Sequence, residues 1–110
     1  MTPFSLRGAA VCLAAFYPLS AAAQEAPGAD WARSYFQQGG DGMPACGICH
    51  ALAAAETSGQ VGPSLDDLKP GADQVRAALR DGVGVMPAFA DALSEAEIEA
   101  MATYVAEAVE

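Results

Sequence analysis

The sequence predicts a small all-α domain, about four short helices joined by loops, and three observations carry that expectation. Apolar residues recur at helical spacing in the first and last periodic stretches. Glycines and prolines punctuate the chain between them, and no run alternates polar with apolar residues as a half-buried strand would. No repeat and no β-hairpin signal is readable.

Taken in order, Asp30 is a fair N-cap, and Trp31, Tyr35 and Phe36 share one face of a helix that Gly39 and Gly40 end. So short a helix needs a packing partner. Residues 39–45 (GGDGMPA) form a glycine-rich loop into Cys46. After His50 the alanine-rich stretch 51–55 is expected to extend a short helix, and 56–60 to be loop. Ser64, with Asp67 three residues on, caps a single turn whose Leu65 and Leu68 point inward, until Lys69, Pro70 and Gly71 stop it. Asp73 to Arg80 is the next helix, with Asp73 as cap and Arg80 favourably near its negative end, and Gly82 follows as breaker. Residues 82–89 (GVGVMPAF) are an apolar loop, which in water is costly, so a packing partner is expected for it. The last helix is the best signalled. Ser94 and Glu97 make a capping box, Leu93 and Ile98 a hydrophobic staple, and Ile98, Met101, Ala102, Val105 and Val109 a continuous inward stripe flanked by Tyr104.

Residues 1–23 read as a secretory signal peptide: one positive charge, a largely apolar run from Gly8 to Leu19, and Ala21, Ala22 and Ala23 as an A-x-A-like cleavage site. The apolar run is shorter than a bilayer span and Pro18 interrupts it, so no stable membrane insertion is expected after cleavage. Cys12 leaves with that segment. Removing 23 of 110 residues leaves 87: 24–29 as a flexible N-terminus and 30–110 as one domain. A chain that small has a marginal core and gains from a covalent staple. It keeps Arg33, Lys69, Arg76 and Arg80 against 14 acidic residues, ten negative charges in excess. Such a balance excludes nucleic acid, which requires a basic patch, and favours a partner with a basic docking face.

Cys46, Gly47, Ile48, Cys49 and His50 form a C-x-x-C-H run, the pattern of covalent haem c attachment. Two thiols add to the haem vinyl groups and the adjacent imidazole binds iron. A disulfide or dithiol pair is one alternative, but so short a loop stabilises little and leaves His50 without a role. Zinc is another, and it needs about four ligands, whereas the exported chain holds no further Cys or His. The sixth ligand decides between electron carriage and reactivity. Met43, Met86 and Met101 are the candidates: Met101 lies on a core stripe, Met43 stands too near Cys46 to cross the ring, and Met86 sits in a distant apolar loop stiffened by Pro87. With no sixth ligand, a ligand sensor or peroxidase is the competing function, and with no haem at all, a thiol-redox module.

Together these residues resemble the monohaem class I cytochromes c: Cys46, Cys49 and His50, then Gly62, Pro63 and Leu65 as a G-P-x-L turn, Met86 and Pro87 in an M-P-A-F run, and a final helix with Tyr104 and Val105. The resemblance implies one haem c with His50 and Met86 on iron, and Pro63 accepting a hydrogen bond from the His50 ring. It also implies first and last helices packed together, with Tyr35 and Phe36 meeting Tyr104 and Val105. It implies a periplasmic electron carrier, not an enzyme, monomeric in isolation, that docks on a redox enzyme or terminal oxidase. Residues 61–105 look most like the small cytochromes that accept electrons from sulfite-oxidising enzymes. One departure stands out: Phe36 lies ten positions before Cys46, so 39–45 resembles an insertion.

Overall fold

The structure is a computed structural model, and it describes residues 27–40 and 42–110, with Pro3, Gly8, Ala10 and 12–15. The expected cleavage site after Ala23 lies outside the described residues. Five α-helices are present among them: α1 (Ala29–Gln38), α2 (Cys46–Cys49), α3 (Leu65–Leu68), α4 (Ala72–Asp81) and α5 (Glu95–Ala108). The all-α expectation needs correcting between α2 and α3. There Ala51–Leu52 (β1) and Thr57–Ser58 (β2) pair antiparallel around a 3₁₀ turn at Ala53–Ala55. Glu56, left-handed at φ 57°, turns the chain into β2. The expected helical extension after His50 is therefore a hairpin, because the backbone at His50 is already extended (φ −116°, ψ 133°).

Helix α1 starts at Ala29 with Gly28 as N-cap, so Asp30 sits in the first turn and favours the helix through its dipole instead of capping it. Its expected face is buried: Tyr35 and Phe36 lie inside, and Trp31 stacks on Tyr35 at 5.3 Å between ring centroids. Helix α4 similarly takes Gly71 as cap and places Asp73 in its first turn. Helix α5 has the expected capping box: Ser94 Oγ accepts from the Glu97 amide at 3.1 Å and Glu97 Oε1 accepts from the Ser94 amide at 2.9 Å. Ile98, Met101, Ala102, Val105 and Val109 are all buried.

The first and last helices pack together as the resemblance implied, Phe36 meeting Tyr104 edge to face at 6.5 Å. Helix α5 also packs along α4, and two arginines link their outer edges. Arg76 reaches both Asp73 and Glu99, and Arg80 reaches Glu95. The carboxylates hold both guanidinium groups further above their usual range, and Arg76 draws the Glu99 carboxyl below its own.

A likeness of letters and of entry backbone joins the ends of α1 and α4. Each ends on a glycine and continues as G-x-x-x-Met-Pro-Ala, at 39–45 and 82–88. Gly39 (φ 66°, ψ −165°) and Gly82 (φ 71°, ψ 167°) have nearly the same backbone. Each is followed by an isolated bridge that closes a tight turn, Gly40 with Met43 and Val83 with Met86. A Cβ on Gly39 would lie 2.7 Å from the Met43 carbonyl oxygen, and one on Gly82 2.7 Å from that of Met86. The two segments thus share the entry glycine and the closing bridge, while the turns differ inside: the left-handed residue is Gly42 (φ 77°) in one and Gly84 (φ 55°), one position earlier, in the other.

Gly39→Ala and Gly82→Ala should each destabilise the fold by about 1–3 kcal/mol, since both add a left-handed penalty to a backbone clash. Denaturant unfolding of the two variants should give similar losses, and a near-neutral result at either site would contradict the shared entry geometry.

Candidate cofactor site

A four-residue helix has no stability of its own, so α2 is held from outside. Gly47 lies against both neighbours: a Cβ there would come within 2.3 Å of Thr57 Cγ2 and 3.3 Å of the Phe36 carbonyl oxygen. Gly59 lies beneath the turn, where a Cβ would stand 2.5 Å from the Ile48 carbonyl oxygen. Backbone thus packs directly on backbone. At the end of the turn the His50 amide donates to the Cys46 carbonyl at 2.9 Å. Thr57 Oγ1 donates to the His50 carbonyl at 3.0 Å and accepts from the Leu52 amide at 3.2 Å.

The His50 ring is held by the turn that follows. Nδ1 lies 2.7 Å from the Pro63 carbonyl oxygen. A carbonyl only accepts, so Nδ1 carries the proton and the Nε2 lone pair is left for a metal. Gly62 makes this approach possible: its amide donates to the Cys49 carbonyl at 2.7 Å, and a Cβ on it would lie 2.6 Å from His50 Cε1. The partner implied for His50 is therefore in place, together with a steric reason for the glycine before it.

Cys46, Cys49 and His50 line a cavity of about 630 Å³, a size typical of cofactor sites. Phe36, Leu65, Leu79, Phe89 and Val105 supply apolar wall, and Gln74 and Asp81 are the polar groups from α4. Met86 and Pro87 line the same space, with Met86 half-buried at the end of its tight turn. Met101 also lines it, from the middle of α5 and 1% exposed, while Met43 packs on the core without reaching the lining. The loop 82–89 is only partly covered, since Val83 and Val85 remain 63% and 90% exposed at the cavity mouth.

Both thiols are free, and burial pushes the Cys46 thiol up to about 11. Among the described residues no three of His, Cys, Asp and Glu converge as a metal cluster, so the donors fit one imidazole and one thioether better than zinc. Two thiols, an imidazole with a free Nε2, a thioether and an apolar chamber fit covalent haem.

Residues 43–105, more than half of the chain, match the family described as cytochrome c oxidase, cbb3-type, subunit III. The chain belongs to the cytochrome c family. Its fold is similar to the crystal structure of the c-type cytochrome SorU from Sinorhizobium meliloti, with 43% sequence identity and a TM-score of 0.67. That likeness covers 74% of this cytochrome and 90% of SorU. A search of curated protein sequences found no match. Membership implies covalently bound haem c, in a family whose members generally carry electrons. No helix of the described residues is long and apolar enough to cross a membrane.

Sequence reasoning singled out Cys46, Cys49, His50, Pro63 and Met86, and the fold brings all five together. It missed Gly47 and Gly59, whose roles are steric, and Thr57, which both packs on Gly47 and hydrogen-bonds His50 and Leu52; all three depend on a hairpin with no sequence signal.

Gly62→Ala should push the imidazole or the 61–63 backbone aside and cost about 1–3 kcal/mol by overpacking; thermal unfolding of the haem-loaded variant checks this. The partly buried Cys46 thiol makes whatever structure the haem-free chain retains proton-linked. Its contribution is complete below the ordinary thiol value of 9.0 and is lost as pH rises towards about 11, amounting to about 2–3 kcal/mol. Thioether formation removes that proton, so unfolding curves of the loaded cytochrome should lack this slope. Equal slopes with and without haem would contradict the assignment to Cys46.

Proposed function

We propose that this cytochrome is a periplasmic one-electron carrier with His50 and Met86 as axial ligands, reduced by a sulfite-oxidising enzyme. The observation that carries the ligation is a single apolar cavity lined by both the Cys46–His50 attachment turn and the Met86 loop. When bound, haem supplies reversible one-electron iron chemistry. The chain's own residues set the conditions for it. Cys46 and Cys49 would hold the group through thioethers, and His50 would present Nε2 because its Nδ1–H donates to the Pro63 carbonyl. A Met86 thioether on the iron would favour the reduced state. The apolar walls exclude water, which further favours the less charged, reduced iron.

Export is supported by the signal-peptide pattern of residues 1–23. The donor is supported by the resemblance of residues 61–105 to cytochromes that serve sulfite oxidation. Charge supports the kind of partner surface. Arg33, Arg76 and Arg80 are all occupied in ion pairs, leaving Lys69 as the cation without one among the described residues. The exterior therefore presents carboxylates to a basic docking face, in a transient complex steered by charge.

Met86→Ala should open the sixth position. Carbon monoxide should then bind the reduced protein, and the reduction potential should fall by on the order of 100 mV, roughly two tenfold steps of about 59 mV each. A variant that rejects carbon monoxide and keeps its potential would overturn Met86 as ligand, and a wild-type protein that binds it would favour a sensor or peroxidase. Raising ionic strength from about 0.01 to 0.15 M shortens the screening length from roughly 30 to 8 Å. Electron exchange with a basic partner should slow accordingly in stopped-flow measurements, and an unaltered rate would contradict acidic docking.

A further inference from the structure

We propose that Thr57 is a positioning residue for the axial imidazole, its hydroxyl fixing the His50 backbone so that ring orientation, and with it the reduction potential, is held constant. The proposal rests on His50 ligating haem iron, as inferred above.

His50 is held at two points. Its ring is tied to Pro63, and its carbonyl accepts from Thr57 Oγ1 at 3.0 Å. Thr57 Oγ1 in turn accepts from the Leu52 amide at 3.2 Å, so one hydroxyl joins the residue after the attachment turn to the strand that follows. The methyl group of Thr57 fills the space left by Gly47, where a Cβ would come within 2.3 Å of Thr57 Cγ2. Thr57 therefore touches the attachment turn on its helical side through carbon and at its end through oxygen.

A clamp is useful only if it is itself fixed, and the hairpin is anchored independently of α2. From α1, Arg33 Nε donates to the Ala54 carbonyl at 3.1 Å and its guanidinium pairs with Glu56 at 3.1 Å. Gln37 donates to the Ala55 carbonyl at 2.9 Å. From α3, Asp66 accepts from the Ala53 amide at 2.8 Å. These bonds hold residues 53–56 between two helices, and Thr57 carries that position to His50.

The consequence for iron follows from hydrogen-bond chemistry. An imidazole that donates strongly from Nδ1 is a more basic ligand at Nε2 and stabilises the oxidised metal. If the His50 backbone drifts, the 2.7 Å bond to Pro63 lengthens, the ligand becomes less basic, and the potential rises. Valine keeps the branched shape of threonine but replaces the hydroxyl with a methyl group, leaving the Leu52 amide and the His50 carbonyl without this partner.

The test compares haem-loaded wild type, Thr57→Val and Thr57→Ser, made in cells that attach haem c. The potential is measured by redox titration, and ring orientation by the haem-methyl proton shifts of the oxidised protein. Thr57→Val should raise the potential and alter the methyl pattern, and Thr57→Ser, which keeps the oxygen but loses the methyl contact with Gly47, should restore both. A Thr57→Val protein that melts earlier yet keeps the wild-type potential and pattern would overturn the proposal, leaving Thr57 a structural residue only. Should Thr57→Val fail to accumulate, Thr57→Ser decides alone: a wild-type pattern supports the clamp and a changed one overturns it. Wild-type protein without covalent haem would overturn the ligation reading and this proposal with it.

Discussion

A carbonyl that can only accept, 2.7 Å from one nitrogen of a single histidine, decides how the rest of this molecule is used. Because the Nδ1–H of His50 donates to the Pro63 carbonyl, the ring keeps its other nitrogen as a bare lone pair. That contact requires the turn to approach the ring closely, hence glycine at 62. It also requires the five-residue attachment turn to end at a fixed point, hence the dense packing of Gly47 and Gly59 against their neighbours. The hairpin at 51–58 then has a purpose that its size would not suggest. It is a short bracket, fastened to α1 and α3, against which the attachment turn rests.

The remaining elements close a chamber around that imidazole. Helices α1, α4 and α5 contribute their apolar faces, and loop 82–89 contributes Met86. A chain of this length cannot fill so large a space with its own side chains and still retain a core of ordinary density. The apolar lining is explained by a flat, rigid, covalently held group that would complete the core, and this is why cofactor and fold are best regarded as one unit. The exposed Val83 and Val85 belong to the same picture, since they stand at the mouth where the edge of such a group would meet a partner.

The parts of this architecture legible in the sequence are those set by local chemistry. The C-x-x-C-H run names its own function by spacing. The Ser94–Glu97 box and the stripe through Val109 locate α5 almost to the residue. The breakers Gly39 and Gly82 end their helices as expected. Helix starts were less legible, because Gly28 and Gly71 serve as caps while the better capping residues Asp30 and Asp73 fall inside the first turn. The hairpin was illegible because its strands are two residues each, too short for an alternating pattern. Ala51 and Leu52, helix formers by propensity, are held extended by pairing with Thr57 and Ser58. The two Met-Pro turns share their letters openly, but a pair of seven-residue segments lies far below the length of a folded repeat. Their kinship becomes physical only through the matching glycine backbones.

Near-infrared absorption of the oxidised, haem-loaded protein tests the closed imidazole–thioether centre most directly. A weak charge-transfer band from a methionine sulfur to ferric iron is expected, and it should be absent when Met86 is replaced by alanine. Covalent haem without that band in the wild-type protein, or a band that survives the loss of Met86, would contradict the assignment of His50 and Met86 as the two ends of the iron site.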